Sequence, residues 1–154
     1  MEIGFEHYLI RDYRMEDTDQ LSGLLSDAQL MRYMEKTYTR LETAEFLNQC
    51  LAAKPSPVYA LEDLETKRLA GHIIFHPFEK DSYEIGWIIA PAFQKRHLAE
   101  KATSALMEYG ALRGIGKFVI ECSADNTQSA YIAKKAGFVL TDTQEGPDVY
   151  VRYI

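Results

Sequence analysis

The sequence predicts a mixed α/β domain of the α+β kind, spanning residues 1–154, in which helices flank a central sheet. Three observations lead to this prediction. The chain has 154 residues, which is enough for one hydrophobic core. Hydrophobic residues make up 47% of it and charged residues 26%, as is ordinary for a globular protein. Strand-like runs and helical spacings follow one another in the order β-α-α-α-β-β-β-α-β-α-β-β, with no repeat or linker.

The first half of the chain predicts one strand, three helices and a group of three strands. Aromatic and β-branched residues over 5–14 favour the first strand. Apolar residues at helical spacing then predict three helices. The first begins after the acids of 16–19 and breaks near Ser26. The second is short and runs through Leu30, Met31 and Met34, and the third covers residues 40–54. Strand-like runs follow at 58–63, 68–78 and 82–90, the first two joined by a hairpin turn.

The second half predicts two crossovers and two closing strands. An amphipathic helix begins at Leu98, and glycines near residue 115 end it. A buried strand over 117–124 leads into a helix that Asp125 or Asn126 caps and Gly137 terminates. The last strands meet near Gly146–Pro147.

Composition limits the partners. The net charge of −6 and the sequence pI of about 5.2 argue against nucleic-acid binding, which needs a basic face, and tolerate cationic partners. Cys50 and Cys122 belong to no metal-binding or redox motif, and two such isolated cysteines are typical of a protein in a reducing compartment. No signal peptide and no apolar run of about 20 residues is found. We therefore expect a cytoplasmic protein with no membrane segment.

One basic stretch marks a candidate anion site. The segment "PAFQKRHLAEKA" (91–102) places glutamine, lysine, arginine and histidine in a row where a strand gives way to a helix. Helix N-termini bind anions through exposed backbone N–H groups. The alternative interpretation is a solvated helix start with no ligand.

The surrounding motifs resemble those of a known enzyme family. The segments "LIRDYRMEDTDQL", "EIGWIIAPAFQ" and "NTQSAYIAKKAGF" stand in the order found in GCN5-related N-acetyltransferases, and specifically in the subgroup that resembles ribosomal-protein N-terminal acetyltransferases. The resemblance covers essentially the whole chain from about residue 8. It implies a mixed sheet splayed between its fourth and fifth strands, with acetyl-CoA in the V as co-substrate and an amine-bearing acceptor as partner.

The resemblance also implies which residues hold the coenzyme. The edge of strand 82–90 would pair with the pantetheine arm, and the turn after it would hold the pyrophosphate. The residues implied are Trp87, Ile88, Ile89, Gln94, Lys95, Arg96, His97, Leu98, Ala99, Asn126 and Ser129.

The phosphate turn departs from the family pattern, because His97 and Lys95 stand where glycines are usual. We expect residues 94–97 to form the helix's first turn, with His97 at a helical φ. Lys95 and Arg96 would then add charge to the N–H cradle. The lost glycines predict weaker or altered coenzyme binding.

Two carboxylates are candidates for the general base that an ammonium acceptor needs before it attacks a thioester. Glu84 opens the strand of the cofactor edge, and Glu121 lies on the next strand along the chain. Strand alternation does not fix which face Glu121 occupies, so both stay open, with Glu84 favoured.

The departing thiolate needs a donor. The tyrosine that many members of the family use is replaced by Ala133, and Tyr131 is expected to face elsewhere because it lies about 200° around the helix. Ser129 is the replacement donor that the subgroup's pattern implies, and Asn126 would bind the pantetheine or cap the helix.

Other residues are assigned to the acceptor side or to the core. His72 and His76 share a strand spacing, but no third ligand accompanies them, so we expect core or acceptor-site lining and no metal. Met31, Tyr33, Met34 and Tyr38 are either core or acceptor-pocket residues. The alternative functions are a degenerate acyl-CoA-binding module without catalysis and a plain interaction domain. The resemblance is also compatible with a homodimer.

Overall fold

Eight strands and four α-helices make up the part of the chain that the computed structural model describes, residues 1–141 and 145–154. The strands are β1 (Glu2–Phe5), β2 (Tyr8–Arg11), β3 (Val58–Asp63), β4 (Arg68–Pro77), β5 (Ser82–Ile89), β6 (Lys117–Cys122), β7 (Val139–Leu140) and β8 (Asp148–Tyr153). The helices are α1 (Thr18–Leu25), α2 (Arg40–Ala52), α3 (Leu98–Ala111) and α4 (Thr127–Lys135). Short 3-10 turns at Met15–Asp17 and Pro91–Phe93 precede α1 and α3.

The strands form one mixed sheet in the order β1-β2-β3-β4-β5-β6-β8-β7. Neighbouring strands are antiparallel except β5 and β6, which run parallel. A parallel pair needs a crossover connection, and α3 supplies it. The predicted mixed α/β architecture is confirmed.

The sheet splits where β5 meets β6. The two strands pair only over Ser82–Glu84 of β5. The rest of β5, from Ile85 to Ile89, pairs with β4 on one side and with none of the described residues on the other. The predicted splay is therefore confirmed. It lies between the two strands that the sequence predicted as the fourth and fifth, which are β5 and β6 in the structure.

That difference in numbering arises at the N-terminus. The strand predicted over 5–14 is a hairpin, in which β1 and β2 pair around a turn at Glu6 and His7. Glu6 has a φ of 52°. Asn-Gly and Asp-Gly are the usual signals for such tight turns. Because this turn uses a glutamate, the sequence pattern did not reveal it.

The short helix predicted through Leu30 and Met34 is wrong, because residues 28–33 form turns and Met34 lies in a bend. The Asp27 carboxylate accepts hydrogen bonds from the backbone N–H groups of Gln29 and Leu30, at 2.9 and 3.1 Å. An aspartate that binds nearby N–H groups in this way stabilises a turn in competition with a helix. Met31 is nevertheless buried in the core.

The helices cover the two faces of the sheet. The ring of Phe46 on α2 lies 6.0 Å from the ring of His72 on β4, so α2 packs on the face to which His72 points. Helix α3 covers the opposite face, where Gly110 meets Phe118 so closely that an added Cβ would lie 2.7 Å from the ring. Cross-strand partners share a face, and alternate residues of a strand face opposite layers.

A buried ionic network joins the start of the chain to the sheet. The Arg11 guanidinium binds both carboxylate oxygens of Asp17, at 2.8 and 2.9 Å, and donates to Glu62 at 2.7 Å. All three side chains are almost fully buried. The network links β2 and β3 to the turn before α1.

Within the described part of the chain, no helix is both long enough and apolar enough to cross a membrane.

Candidate active site

A cleft opens where β5 and β6 separate, with a cavity volume of about 530 Å³. Four parts of the chain line the cleft. They are the exposed end of β5, the turn before α3 with the first residues of that helix, the first half of α4, and the segment between α1 and α2. The predicted coenzyme residues Trp87, Ile88, Ile89, Gln94, Lys95, His97, Leu98, Ala99, Asn126 and Ser129 all line this cleft.

The turn before α3 has an unexpected backbone. Lys95 and His97 have φ values of 64° and 59°, both in the left-handed region. Helix α3 begins only at Leu98, and His97 is its N-cap. The prediction that residues 94–97 form the first helical turn, with His97 at a helical φ, is therefore wrong. The chain keeps the backbone that glycine favours at both positions although neither residue is glycine.

Side chains of this turn point in different directions. Gln94 donates from Nε2 to the Ile89 carbonyl at 3.1 Å and so ties the turn to the end of β5. The Arg96 guanidinium lies over the Phe93 ring, 5.0 Å from its centroid, and donates to the Tyr8 hydroxyl at 3.4 Å. Arg96 is absent from the cleft lining. This placement does not support the expectation that Arg96 adds charge to an anion site, because its exposed guanidinium is held by Phe93, by the Tyr8 hydroxyl and by the Ala92 carbonyl.

The first turn of α3 presents donors to the cleft. The first intrahelical bond runs from the Lys101 N–H to the His97 carbonyl at 3.0 Å. The N–H groups of Leu98, Ala99 and Glu100 therefore have no acceptor within the helix. The Glu100 carboxylate is neutralised by the Lys135 ammonium at 2.9 Å and approached by the His97 ring at 3.2 Å. These contacts, led by the Lys135 hydrogen bond, lower the pKa of Glu100.

Helix α4 faces the cleft with one arc of residues. Asn126 caps the helix, because its side-chain oxygen accepts from the Ser129 N–H at 3.1 Å. The Ser129 hydroxyl makes no hydrogen bond to the residues that the structure describes. Tyr131 borders the cleft, which corrects the expectation that it faces elsewhere. Ala133 is fully buried, so its position packs into the core.

The two candidate carboxylates lie on the same face of the sheet. Glu84 is opposite His76 on β4 and opposite Val119 on β6, so His76, Glu84 and Glu121 all point towards the layer of α1 and α2. Glu84 takes the last paired position of β5, at the closed end of the V. The sequence had left the face of Glu121 open.

These groups interact electrostatically. The His76 Nε2 atom lies 3.0 Å from a Glu84 carboxylate oxygen, and this hydrogen bond raises the pKa of His76. Burial, and then the charge of Glu84, raise the pKa of Glu121. The cluster therefore favours an imidazolium beside one carboxylate and a second carboxylate that retains its proton to higher pH than usual.

His72 and His76 have separate surroundings. The His72 Nδ1 atom lies 2.7 Å from the Tyr13 hydroxyl in the core, and burial lowers the pKa of His72 to about 4. Its ring is therefore neutral and structural, whereas His76 belongs to the carboxylate cluster.

The segment between α1 and α2 forms the far wall of the cleft. Tyr33 and Met34 line the cleft, whereas Met31 is core and Tyr38 packs against the Phe46 ring at 5.8 Å. The Tyr33 hydroxyl donates to the Asp125 carbonyl at 3.2 Å. This contact joins the segment to the loop before α4.

Sequence reasoning missed three features of this site. The His76–Glu84 pair forms between strands, and only the register reveals it. Tyr131 was expected to face away from the cleft because position 133 was taken to face it, but Ala133 is buried in the core and Tyr131 borders the cleft. Arg32 lines the cleft from a segment predicted as helix, and nothing in the pattern signalled it.

Comparisons with known proteins agree on one family. Residues 7–139 match the profile described as "Acetyltransferase (GNAT) domain". The uncharacterized N-acetyltransferase YnaD of Bacillus subtilis (strain 168) is 31% identical over 142 residues, which cover 89% of this chain and 82% of that protein.

Solved structures share the fold. An acetyltransferase of the GNAT family from Bacillus anthracis superimposes with a TM-score of 0.86 at 26% identity, covering 98% of this chain and 96% of that one. The ribosomal L7/L12 alpha-N-protein acetyltransferase RimL in complex with coenzyme A gives a TM-score of 0.86 at 22% identity, covering 100% and 98%. At that identity the second likeness concerns the fold alone.

Proposed function

Because the chain belongs to the GNAT acetyltransferase family, we propose that it transfers an acetyl group from acetyl-CoA directly to a primary amine, with both substrates bound in the cleft. Acetyltransferase activity and the use of acetyl-CoA are properties of the family. The residues, the order of steps and the acceptor are our proposal.

The observation that carries the proposal is the open edge of β5 inside the cleft. The strand offers backbone groups over Trp87–Ile89 where β6 has separated from it. Backbone polar groups need partners when they are covered. The amides of a pantetheine arm can supply them, in the manner of a short added strand.

The pyrophosphate would lie over the start of α3. The free N–H groups of Leu98, Ala99 and Glu100 point out of the helix end, where the helix dipole favours an anion. The left-handed residues Lys95 and His97 bring the turn to this position, and Lys95 adds a charge at the cleft. Arg96 has no role in this proposal. The retained glycine-type backbone also weakens the case for a degenerate module, which rested on the lost glycines and on the missing tyrosine at Ala133.

Chemistry would take place at the closed end of the V. Glu84, directly or through a water molecule, takes a proton from the ammonium form of the acceptor. The amine nitrogen attacks the thioester carbonyl carbon, and the C–S bond breaks as the amide forms. The Ser129 hydroxyl donates its proton to the departing thiolate, which leaves as the thiol of coenzyme A, and takes up in turn the second proton that the amine nitrogen loses as the amide forms. Glu121 is the alternative base.

The acceptor enters from the side of Tyr33 and Met34. RimL, which shares the fold, is by its name an acetyltransferase of ribosomal L7/L12. A protein N-terminus and a small-molecule amine are therefore the two acceptor classes to test.

The experiment that tests the proposed function has two steps. Calorimetry with acetyl-CoA should show binding to one site per chain. Release of free thiol should then depend on an amine from a panel of N-terminal peptides, polyamines and amino acids. Absence of binding at millimolar acetyl-CoA would overturn the proposal, and binding without thiol release on any amine would favour the non-catalytic module.

The left-handed turn gives a second prediction. In His97→Val a β-branched residue would have to adopt the left-handed φ, which strains valine more than histidine, so the free turn relaxes and binding must restore it. We expect acetyl-CoA to bind roughly tenfold more weakly by calorimetry. The matched variant His97→Gly also lacks the imidazole and should bind at least as well as the parent protein. Equal losses in both variants would show that the imidazole, not the backbone, matters.

A further inference from the structure

His76, which the sequence paired with His72 by spacing, instead contacts a carboxylate on the neighbouring strand. It lies on β4 directly opposite Glu84, on the face of the sheet towards α2. Its Nδ1 atom lies 2.7 Å from the Pro77 carbonyl, and its Nε2 atom lies 3.0 Å from the Glu84 carboxylate. When the ring is protonated, both nitrogens donate, and both have an acceptor in place.

The charges around His76 are mostly negative. Glu84 faces it from β5 and Glu121 from β6, while Glu79 in the turn after β4 adds to the field at Glu121. Lys117, at the start of β6, lies 3.9 Å from Glu79. Glu84 and Glu121 are close enough for the charge of one to raise the pKa of the other. Two like charges on neighbouring strands oppose joint ionisation.

We propose that His76 is a positioning residue that holds the Glu84 carboxylate in its orientation at the closed end of the V, beside Glu121. This inference rests on the proposed role of Glu84 as the base. The imidazolium compensates the repulsion between the two carboxylates, and its hydrogen bond fixes one oxygen of Glu84. The other oxygen stays available to the amine or to a bridging water.

The pH dependence of kcat/KM distinguishes this role from a structural one. In His76→Gln the positive charge is gone, so the two carboxylates share a proton up to higher pH. The acid limb of the profile should move up by roughly one pH unit. An opposite charge at hydrogen-bond distance shifts the pKa of an acid by about 1–3 units, and the lower end of that range applies because this site is partly exposed. Activity on the high-pH plateau should fall only a few-fold.

His76→Lys is the matched control, because its ammonium restores a permanent charge and should return the acid limb to the parent position. A uniform loss of activity at every pH in His76→Gln, or an unmoved acid limb, would overturn the inference.

A readout that does not depend on activity completes the test. The chain has 4 histidines, and the His76 imidazole can be assigned by comparing NMR spectra with those of His76→Gln. Its titration midpoint in the unliganded protein should be higher than in Glu84→Gln, because the ion pair raises the pKa of His76. Equal midpoints would show that the pair does not form in solution.

The two proposals can fail separately. Full activity in Glu84→Gln would remove Glu84 as the base, whatever the NMR titration shows. An inactive Glu84→Gln together with an unmoved acid limb in His76→Gln would remove the role of His76 alone.

Discussion

Replacing Glu84 with glutamine is expected to lower kcat by about 10²–10⁴-fold, the usual contribution of a positioned general base. The carboxylate lies at the last paired position of β5, where the acetyl end of the coenzyme would meet the amine. Glutamine has the same shape and still accepts from His76, but it cannot take a proton. The measurement is the rate of free-thiol release at saturating acetyl-CoA.

The loss should depend on pH. As the pH approaches that at which the free amine predominates, the acceptor no longer needs the base, and the variant should recover relative to the parent. Calorimetry should give an unchanged affinity for acetyl-CoA, because Glu84 acts on the acceptor amine and belongs neither to the open edge over Trp87–Ile89 nor to the turn before α3.

Glu121→Gln is the matched comparison, since it removes a carboxylate from the same face of the next strand. We expect a smaller loss, because burial and the charge of Glu84 raise the pKa of Glu121 and leave it the poorer candidate for an ionised base. A larger loss in Glu121→Gln than in Glu84→Gln would reassign the base. Ser129→Ala should lower kcat without moving the acid limb of the pH profile, because a thiol donor does not set the protonation of the base.

Replacing Arg11 with methionine is expected to lower the free energy of unfolding at neutral pH by about 3–5 kcal/mol. The substitution removes the guanidinium that binds both oxygens of Asp17 and one of Glu62, and leaves two carboxylates without it in a site where the side chains are 8% and 11% exposed. An unpaired buried charge costs much more than the pair contributes. Urea denaturation followed by circular dichroism measures the change.

The sign of the pH dependence follows from Asp17. Burial tends to raise the pKa of Asp17, but the hydrogen bonds from Arg11 and from the Arg14 N–H together lower it. A lowered pKa stabilises the folded state above the pKa of the unfolded chain, and that stabilisation is lost as the pH falls through the folded value. The difference between the parent protein and Arg11→Met should therefore be fully present at neutral pH and shrink below about pH 4, as the pH falls from the unfolded to the lowered folded pKa of Asp17.

Arg40→Met controls for the loss of a positive charge. Arg40 binds Asp19 at 2.6 Å, but both side chains are exposed, at 67% and 76%. Exposed ion pairs contribute little, so this variant should unfold almost as the parent does. A similar loss in both variants would show that net charge, rather than the buried network, explains the effect.

Much of the fold could be predicted from the sequence because apolar spacing, helix caps and turn residues are patterns of neighbouring residues. Apolar spacing predicted α3 from Leu98 onward, and Asn126 and Gly137 marked the two ends of α4. The predicted turn at Gly146–Pro147 joins β7 to β8 next to residues 142–144, which lie outside the described residues. The misread segments, at Glu6 and at 28–34, are those where a side chain or an unusual φ overrides the average preference of the residues.

The sequence by itself determined the order of the elements from residue 58 onward, the family and the segments that form the cleft, because periodicity and motif order depend on residues that are near one another in the chain. Only the tertiary structure decided which way side chains point. Strand alternation gives a period of two but no absolute face, so the register between β5 and β6 had to place Glu121 on the same face as Glu84. The tertiary structure also turned Arg96 onto Phe93 and brought Tyr131 to the cleft, and the register of β4 and β5 set His76 against Glu84. At Lys95 and His97 the surrounding structure imposed a left-handed backbone that the residues themselves disfavour.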